Sequence, residues 1–216
     1  MSQKSKESSS EALLNAARAL VARRGFDGAS TRAIAEHAGA NIALIPYHFG
    51  SKEGLLAKLI EGWTADLLVR LRVASEVQGK SGSKLPAVVD AFLRFSILES
   101  PECATIMARE SMLLEPTQVT ARIAEAVQPV SEFLDTIVPA TSGRGGATVV
   151  AVLLGIAGVA GAMPSLAYAP SRESAFERAR QWAGAVLEIS TAHVGAPAVT
   201  PVFRPIPETA SSDFLD

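Results

Sequence analysis

Apolar residues recur every three or four positions along most of the chain, which is the spacing of one helix face. The first such pattern covers about residues 9–24, two short ones follow in 30–49, and a long one covers 52–77. Further helical patterns begin near residues 85, 103, 119, 147 and 172, and residues 78–84 have the composition of a linker. Ser100-Pro101-Glu102 marks the start of one of these helices, Ser171 can cap the last, and Pro129 is expected to bend or split the helix that contains it. The helix over 147–163 contains Gly155 and Gly158, so it gains stability only where another backbone approaches closely. The sequence therefore predicts an all-α protein of about nine helices.

Polar and glycine residues mark where these helices begin and end. Ser30, Asn41 and Ser51 each precede a helical pattern, where a side-chain oxygen can accept a backbone N–H of the first turn. Gly25 and Gly39 follow helical patterns, and glycine adopts the left-handed conformation that often ends a helix. The caps predict short helices over residues 30–40 and 41–49, with a long helix starting at Lys52.

The two short helices, joined by a turn containing Gly39, form a helix-turn-helix pattern. We expect Ile42 and Ile45 of the second helix to pack against Ile34 and Ala35 of the first. Pro46 removes a backbone donor and disfavours helical geometry before it, so the second helix is expected to be short or irregular. The residues left pointing outward are Ala43, Leu44, Pro46 and Tyr47.

Composition and charge fit a DNA-binding end on a larger body. The chain is 48% hydrophobic and only 19% charged, which predicts an interface between subunits, a ligand cavity, or both. The net charge of residues 1–58 is +3 and that of the remainder is −5. Such a division suits a basic head that meets nucleic acid.

The segment Tyr47–Leu55, YHFGSKEGL, resembles the end of the DNA-binding domain in the TetR/AcrR family of bacterial regulators. Gly25-Phe26 and Thr31, Ile34, Ala35, Ala38 and Gly39 match the same pattern. The resemblance implies a helix-turn-helix domain over residues 1–51 and a helical ligand-binding and dimerisation domain over 52–194. Residues 195–216, rich in proline and without periodicity, are predicted to be a disordered tail.

The resemblance also implies the DNA contacts. Phosphate contacts are expected from Thr31, Arg32, Tyr47, His48 and Lys52, although His48 fits equally well a core histidine bonded to backbone. Base-edge contacts are expected from the recognition helix, whose Asn41 can reach a base or phosphate and whose Leu44 can meet a thymine methyl. Because the helix is poor in hydrogen-bonding groups, we hypothesise that specificity depends on apolar contacts and DNA shape. The predicted DNA-binding residues are Thr31, Arg32, Asn41, Ala43, Leu44, Pro46, Tyr47, His48 and Lys52.

In this family the body holds an effector pocket and the last two helices pair with those of a second copy. The expected polar groups of the pocket are Arg109 and Glu110; a buried Arg109 needs a partner, either Glu110, Glu99 or an anionic ligand. Apolar residues at helical spacing are more often core than pocket. The pocket candidates are Trp63, Phe92, Phe95, Met107, Arg109, Glu110, Met112 and Phe133. The candidates for the dimer interface are Gly155, Gly158, Gly161, Phe176, Ala179, Trp182, Ala183 and Val186.

The resemblance implies a homodimeric repressor, with an activator as the alternative, that a small-molecule effector releases from operator DNA by tilting the fourth helix. An enzyme is not expected, since no nucleophile triad, nucleotide loop or paired-carboxylate signature is present. One cysteine and three scattered histidines predict no metal or cofactor. The N-terminus lacks a signal peptide pattern and the apolar run 147–163 is interpreted as a packed helix, so a cytoplasmic location without membrane contact is expected. A purely structural dimerising helical protein remains the alternative.

Overall fold

The structure, a computed structural model, describes residues 3–76, 84–111, 117–138, 145–162 and 171–187. All regular elements in these ranges are helical, as predicted. The predicted glycine- and serine-containing linker lies almost entirely outside the described residues, as do Met112, residues 188–194 and the tail 195–216. The helices are α1 (Gln3–Gly28), α2 (Thr31–His37), α3 (Leu44–Phe49), α4 (Lys52–Ser75), α5 (Leu85–Arg94), α6 (Pro101–Ser111), α7 (Gln118–Asp135), α8 (Gly146–Ala162) and α9 (Arg172–Leu187).

Helices α1 to α3 form a small unit, called the head below. α1 begins at Gln3, earlier than predicted, and is broken at Gly25, whose φ of 77° is the left-handed value expected for this residue. α2 has the predicted cap, since the Ala33 N–H donates to Ser30 Oγ at 3.1 Å. Gly39, with a φ of 60°, turns the chain toward α3. The predicted helix boundaries at Gly25, Ser30 and Gly39 are thus confirmed.

The helix α3 begins two residues later than the sequence predicted. Asn41 Oδ1 accepts the Ala43 N–H at 2.9 Å, so this side chain closes a turn ahead of the helix. Ile45 is buried against the head core, as expected, but Ile42 lies in the turn with 47% of its surface exposed. The expectation that Ile42 packs inward is therefore wrong, because the turn rotates it away from the core.

Pro46 stands in the first turn of α3, a consequence of that late start. The first backbone N–H groups of a helix have no intrahelical partner, so proline costs little there. The helix is only six residues long, as predicted. The reason given for it was wrong, since Pro46 removes no bond from the interior of a helix.

Helix α4 connects the head to the remaining helices, called the body below. Its N-cap is Ser51, whose Oγ accepts the Gly54 N–H at 3.1 Å, as predicted. Its 24 residues extend roughly 36 Å at about 1.5 Å per residue. Its buried side chains contribute to both regions, with Leu55 and Leu56 beside the head and Leu67 and Leu71 within the body.

A π-helical turn, Phe95–Glu99, follows α5 and was not predicted. The Ser100 N–H donates to Phe95 O at 2.8 Å, which is the wide bonding pattern of a π-turn. Arg70 of α4 is held here, since its Nε donates to Glu99 Oε2 at 3.0 Å and its guanidinium lies over the Phe95 ring. α6 then begins at Pro101, as predicted.

The last three helices complete the body. α7 continues through Pro129, so of the bend or split expected at this residue the split does not occur. α9 starts after Ser171, whose Oγ accepts the Ser174 N–H, as predicted. α8 packs closely on α6: a Cβ placed at Gly158 would collide with Ala108. None of the helices in the described ranges is long and apolar enough to cross a membrane.

Candidate nucleic-acid interface and ligand cavity

The outer surface of the turn before α3 and of α3 itself is mainly apolar. Tyr47 is 62% exposed and Ile42 is 47% exposed, and Ala43 and Pro46 are also exposed. Leu44, which was expected to reach a thymine methyl, is half-buried and packs against the head core. The sequence placed Ile42 against the core and Leu44 on the outer surface. The structure reverses these two positions, because α3 begins later than expected.

The polar side chains predicted to contact DNA are in part bound within the chain. Arg32 is exposed at the start of α2, where its Nε donates to Glu36 Oε1 at 2.9 Å. This hydrogen bond to Glu36 raises the pKa of the Arg32 guanidinium. Thr31 is half-buried as the first residue of α2, and Asn41 uses its carbonyl oxygen on the Ala43 N–H. An approaching phosphate would therefore compete with Glu36 for Arg32.

Lys52 lies at the first position of α4, beside the head. Its Nζ is 4.1 Å from the centroid of the Phe26 ring, so an aromatic face holds the ammonium in place. The neighbouring Glu53 carboxylate is bound to Ser51, which lowers the pKa of Glu53. The N-terminus of a long helix also favours an anion. This geometry is compatible with the phosphate contact that the family resemblance implies for Lys52.

His48 is half-buried at the far end of α3. Its ring lies edge-on to Tyr47, with 5.0 Å between centroids, and 5.8 Å from Phe49. Its Nε2 is buried without a hydrogen-bond partner in the described part of the chain. A backbone bond through Nε2, one of the two alternatives left open, is therefore not made.

Most of the residues predicted to line an effector pocket form the packed core of the body. Trp63, Phe92, Phe95 and Met107 are each at most 2% exposed. The Trp63 ring is tilted against Phe95 at 5.3 Å and edge-on to Phe92 at 6.3 Å. The strong helical periodicity of these residues reflects core packing, which was the alternative interpretation.

Arg109 and Glu110 connect the body to the head. Glu110 is buried, and its Oε1 accepts the Phe26 N–H at 3.2 Å. Arg109 Nη1 donates to Val21 O at 3.3 Å, and its side chain also lies against Gly25. The structure thus corrects their expected role as polar groups of a pocket and the expected partners of Arg109. Nothing in the local sequence signals these contacts, because the partners are more than 80 residues away along the chain.

A cavity of about 420 Å³ opens between α6, α7 and α8. In the described ranges, small apolar side chains dominate its wall, together with three hydroxyl groups and no charged group. A second, smaller cavity of about 280 Å³ lies between α4 and α7 and is flanked by Glu61, Arg122 and Glu125. Neither cavity is lined by any of the predicted pocket residues that the structure describes, a set from which Met112 is missing. The larger one is lined by Ala108, Ser111, Thr120, Ile123, Ala124, Val127, Ser131, Ala147, Val150, Ala151, Leu154 and Gly155.

The wall of the larger cavity was missed because small residues carry little signal. The sequence did identify α8 as a helix that requires a close neighbour, through its Gly155 and Gly158. The assigned neighbour of Gly158 was a second copy of the chain, whereas the structure places α6 of the same chain there. In the part of the chain that the structure describes, no group of acidic, histidine and cysteine side chains could hold a metal ion.

The predicted dimer residues fall into two groups. Phe176, Ala179 and Ala183 of α9 are buried within the chain, so the structure corrects their assignment to an outer surface. Val186 is 50% exposed, Trp182 and Gly155 are partly exposed, and the surroundings of Gly161 are outside the description. Among the described residues of α8 and α9, the exposed apolar ones are Ala147, Ala151, Ala185 and Val186, and the partly exposed ones include Val152, Gly155, Ile156, Val159 and Trp182.

Comparison with known proteins agrees with the geometry of the head. The family described as "Bacterial regulatory proteins, tetR family" matches residues 13–59, which cover most of α1, all of α2 and α3, and the start of α4. No curated protein sequence matches the chain.

Solved structures show the same fold over most of the chain. A TetR family transcription regulator from Shewanella sp. PV-4 has a TM-score of 0.63 at 20% identity, over 83% of this chain and 95% of that one. FadR from Bacillus subtilis, solved in complex with stearoyl-CoA, has a TM-score of 0.63 at 17% identity over 85% and 99%. A TetR-family regulator from Rhodococcus sp. has 0.56 at 23% identity over 84% and 99%. Residues 13–59 therefore match the tetR family of bacterial regulatory proteins, and the chain shares the fold of solved TetR-family transcriptional regulators.

Proposed function

We propose that the protein is a homodimeric repressor that binds operator DNA through two heads and is released by a small molecule bound between α6, α7 and α8. Such regulation takes place at the chromosome, so the proposal includes a cytoplasmic location. Two heads must present their recognition helices about 34–36 Å apart to meet successive major grooves. A ligand that favours a different separation therefore lowers operator affinity.

The observation that supports effector release is the position of α6 between the cavity and the head. Ala108 and Ser111 of α6 line the cavity, while Arg109 and Glu110, which lie between them in sequence, bind the head at Val21 and Phe26. A ligand that displaces α6 must therefore displace or break these two hydrogen bonds. The cavity and the DNA-binding surface are thus connected through one turn of helix.

The chemistry of the cavity indicates the class of effector. Among the residues that the structure describes, its wall contains alanine, valine, leucine and isoleucine with the hydroxyls of Ser111, Thr120 and Ser131, and no charged side chain. Its volume of about 420 Å³ falls within the range of roughly 300–1,000 Å³ that is usual for small-molecule sites. We infer an uncharged or weakly polar effector with one or two hydrogen-bonding groups.

The proposed dimer uses the outer faces of α8 and α9. α8 is apolar on nearly all sides, a property of helices that are buried all round. In the single chain, however, Val152, Ile156 and Val159 remain partly exposed on α8 beside Trp182 and Val186 of α9. A second copy on this face would cover them. Light scattering on the purified protein measures the mass directly, and a monomer at micromolar concentration would contradict this part of the proposal.

The test of effector release is fluorescence anisotropy with DNA from immediately upstream of the protein's own gene, over a salt series and beside an unrelated duplex. A panel of neutral, moderately apolar molecules, with stearoyl-CoA added because a similar fold was solved with it, is then screened for release. We expect one class of compound to weaken binding to the native duplex at least tenfold. Tight operator binding that no cavity ligand weakens would contradict effector release.

Glu110 provides the control for the route through α6. Glu110→Ala removes the acceptor for the Phe26 N–H, whereas Glu110→Gln keeps an acceptor oxygen of the same reach. Because Glu110 does not line the cavity, effector affinity should not change. We expect Glu110→Ala to reduce the effector-induced loss of DNA binding several-fold and Glu110→Gln to retain it. Equal effector response in both variants would exclude this route.

A further inference from the structure

We propose that the protein reads its operator chiefly through the methyl groups of thymine, and that Ile42 makes the principal contact. This inference rests on the proposed operator binding and adds the chemistry by which the operator is chosen. It differs from the sequence expectation, which placed a thymine contact at Leu44.

The surface that the head offers to a major groove is apolar and lies around Ile42. The exposed side chains from the turn and the first part of α3 are those of Ile42, Ala43, Pro46 and Tyr47. Leu44 and Ile45, between them, face the head core. Among the exposed aliphatic side chains of this surface, Ile42 is the largest.

The same segment lacks the side chains that read the other bases. Guanine is read mainly by arginine or lysine, cytosine by carboxylates and adenine by a bidentate asparagine or glutamine. Residues 42–47 contain none of these. Asn41 is the nearest amide, but its Oδ1 accepts the Ala43 N–H at 2.9 Å, which holds the side chain against the backbone of the turn and occupies one of its two acceptor sites. The thymine C5-methyl is the major-groove feature that apolar side chains recognise.

Hydrogen bonds within the chain hold the backbone around Ile42 in the absence of DNA. The Leu44 N–H donates to Asn41 O at 2.9 Å, and the Ile45 N–H donates to Ile42 O at 3.1 Å. Together with the hydrogen bond from the Ala43 N–H to Asn41 Oδ1, these two bonds fix the backbone on either side of Ile42. A preformed apolar contact loses little entropy on binding. Ile42 is thereby presented as a rigid element of the reading surface.

The experiment replaces thymine by uracil, which removes only the methyl groups. The full-length protein is used to select its best duplex from a pool randomised over about 20 base pairs, a span of two half-sites. Affinity for that duplex is then compared with affinity for the same duplex containing uracil. Burial of one methyl group corresponds to about a fourfold change in affinity. We expect a loss of at least tenfold for a symmetric site with contacts in both halves.

Two variants assign the effect to Ile42. Ile42→Ala shortens a side chain that is half exposed, so the head should fold normally, and we expect the thymine-to-uracil affinity ratio to fall toward one. Val69→Ala removes a comparably exposed aliphatic side chain from α4 in the body, and the ratio should remain that of the wild type.

The outcomes separate this inference from the function on which it rests. Equal affinity of the wild type for both duplexes would overturn the methyl-reading proposal and leave operator binding standing. A wild-type ratio that Ile42→Ala does not change would overturn the assignment to Ile42. Failure to select any preferred duplex, even at low salt, would contradict operator binding itself.

Discussion

The head and the body differ in the sequence separation of the contacts that stabilise them. In the head, the caps at Ser30, Asn41 and Ser51 join atoms two or three residues apart. The contacts that position the body join distant residues, such as Glu110 with Phe26 of the head and Gly158 with Ala108 within the body. Local chemistry fixes the conformation of the helix-turn-helix, whereas the proposed response to a ligand depends on packing between remote segments. Substitutions in the two regions should accordingly differ in what they disturb.

The largest expected effect is in the body, at the α6–α8 contact. An alanine at Gly158 would place its Cβ against Ala108, so helices must separate. Overpacking of this kind costs about 1–3 kcal/mol. For a chain of this size that lowers Tm by roughly 2–12 °C, which differential scanning calorimetry measures.

Gly155→Ala is the matched control for Gly158→Ala. Both glycines lie in the interior of α8, and both substitutions gain up to about 1 kcal/mol of helix propensity. A Cβ at Gly155, however, meets no atom within 4 Å. Gly155→Ala should keep or raise Tm, and equal Tm values for the two variants would show that α8 does not pack on α6 in this way.

A smaller effect is expected at the joint between head and α4. Ser51→Ala removes the oxygen that caps the Gly54 N–H, which costs about 1 kcal/mol. Urea denaturation of the purified protein measures this loss. Ser51→Asn, which supplies another good cap, should restore most of the stability. Equal loss in both variants would mean that the cap is not what Ser51 contributes.

The smallest effect is a change in pH dependence from Asp90 in the body. Burial raises the pKa of this carboxyl above its ordinary value of 3.8, against the opposing influence of Arg94 and Arg180. The folded state therefore binds more protons than the unfolded state just above that value, and stability falls as pH rises through the interval. Asp90→Asn should flatten this part of the stability curve measured by denaturation from about pH 4 upward. Identical slopes for wild type and variant would contradict the shift.

The sequence predicts those features, such as helix caps, that depend only on residues close together along the chain. Gly25, Gly39, Ser30, Ser51 and Ser171 were assigned correctly because capping and left-handed geometry need only a short segment. Ile42 and Leu44 were exchanged because a two-residue shift of a helix start rotates every side chain near it. A shift of two residues in the predicted helix start thus reverses which side chains are exposed.

The body's site was beyond prediction for a different reason. Arg109 and Glu110 were correctly singled out as unusual, yet their partners depend on how α6 meets α1, which no local pattern contains. Trp63 and Phe95 are large aromatic residues of the kind that line ligand pockets, but their side chains are buried in the core. Periodicity cannot separate those two cases, since both place apolar residues on one helix face.

The short third helix has a consequence for how such regulators diverge. Only Ile45 is fully buried among residues 42–47, and the turn before it is held by backbone atoms and by Asn41. The side chains of residues 42, 43 and 46 can therefore be exchanged with little loss of folding stability. A duplicated copy of the gene could acquire a new operator through a few such substitutions while its body stays unchanged.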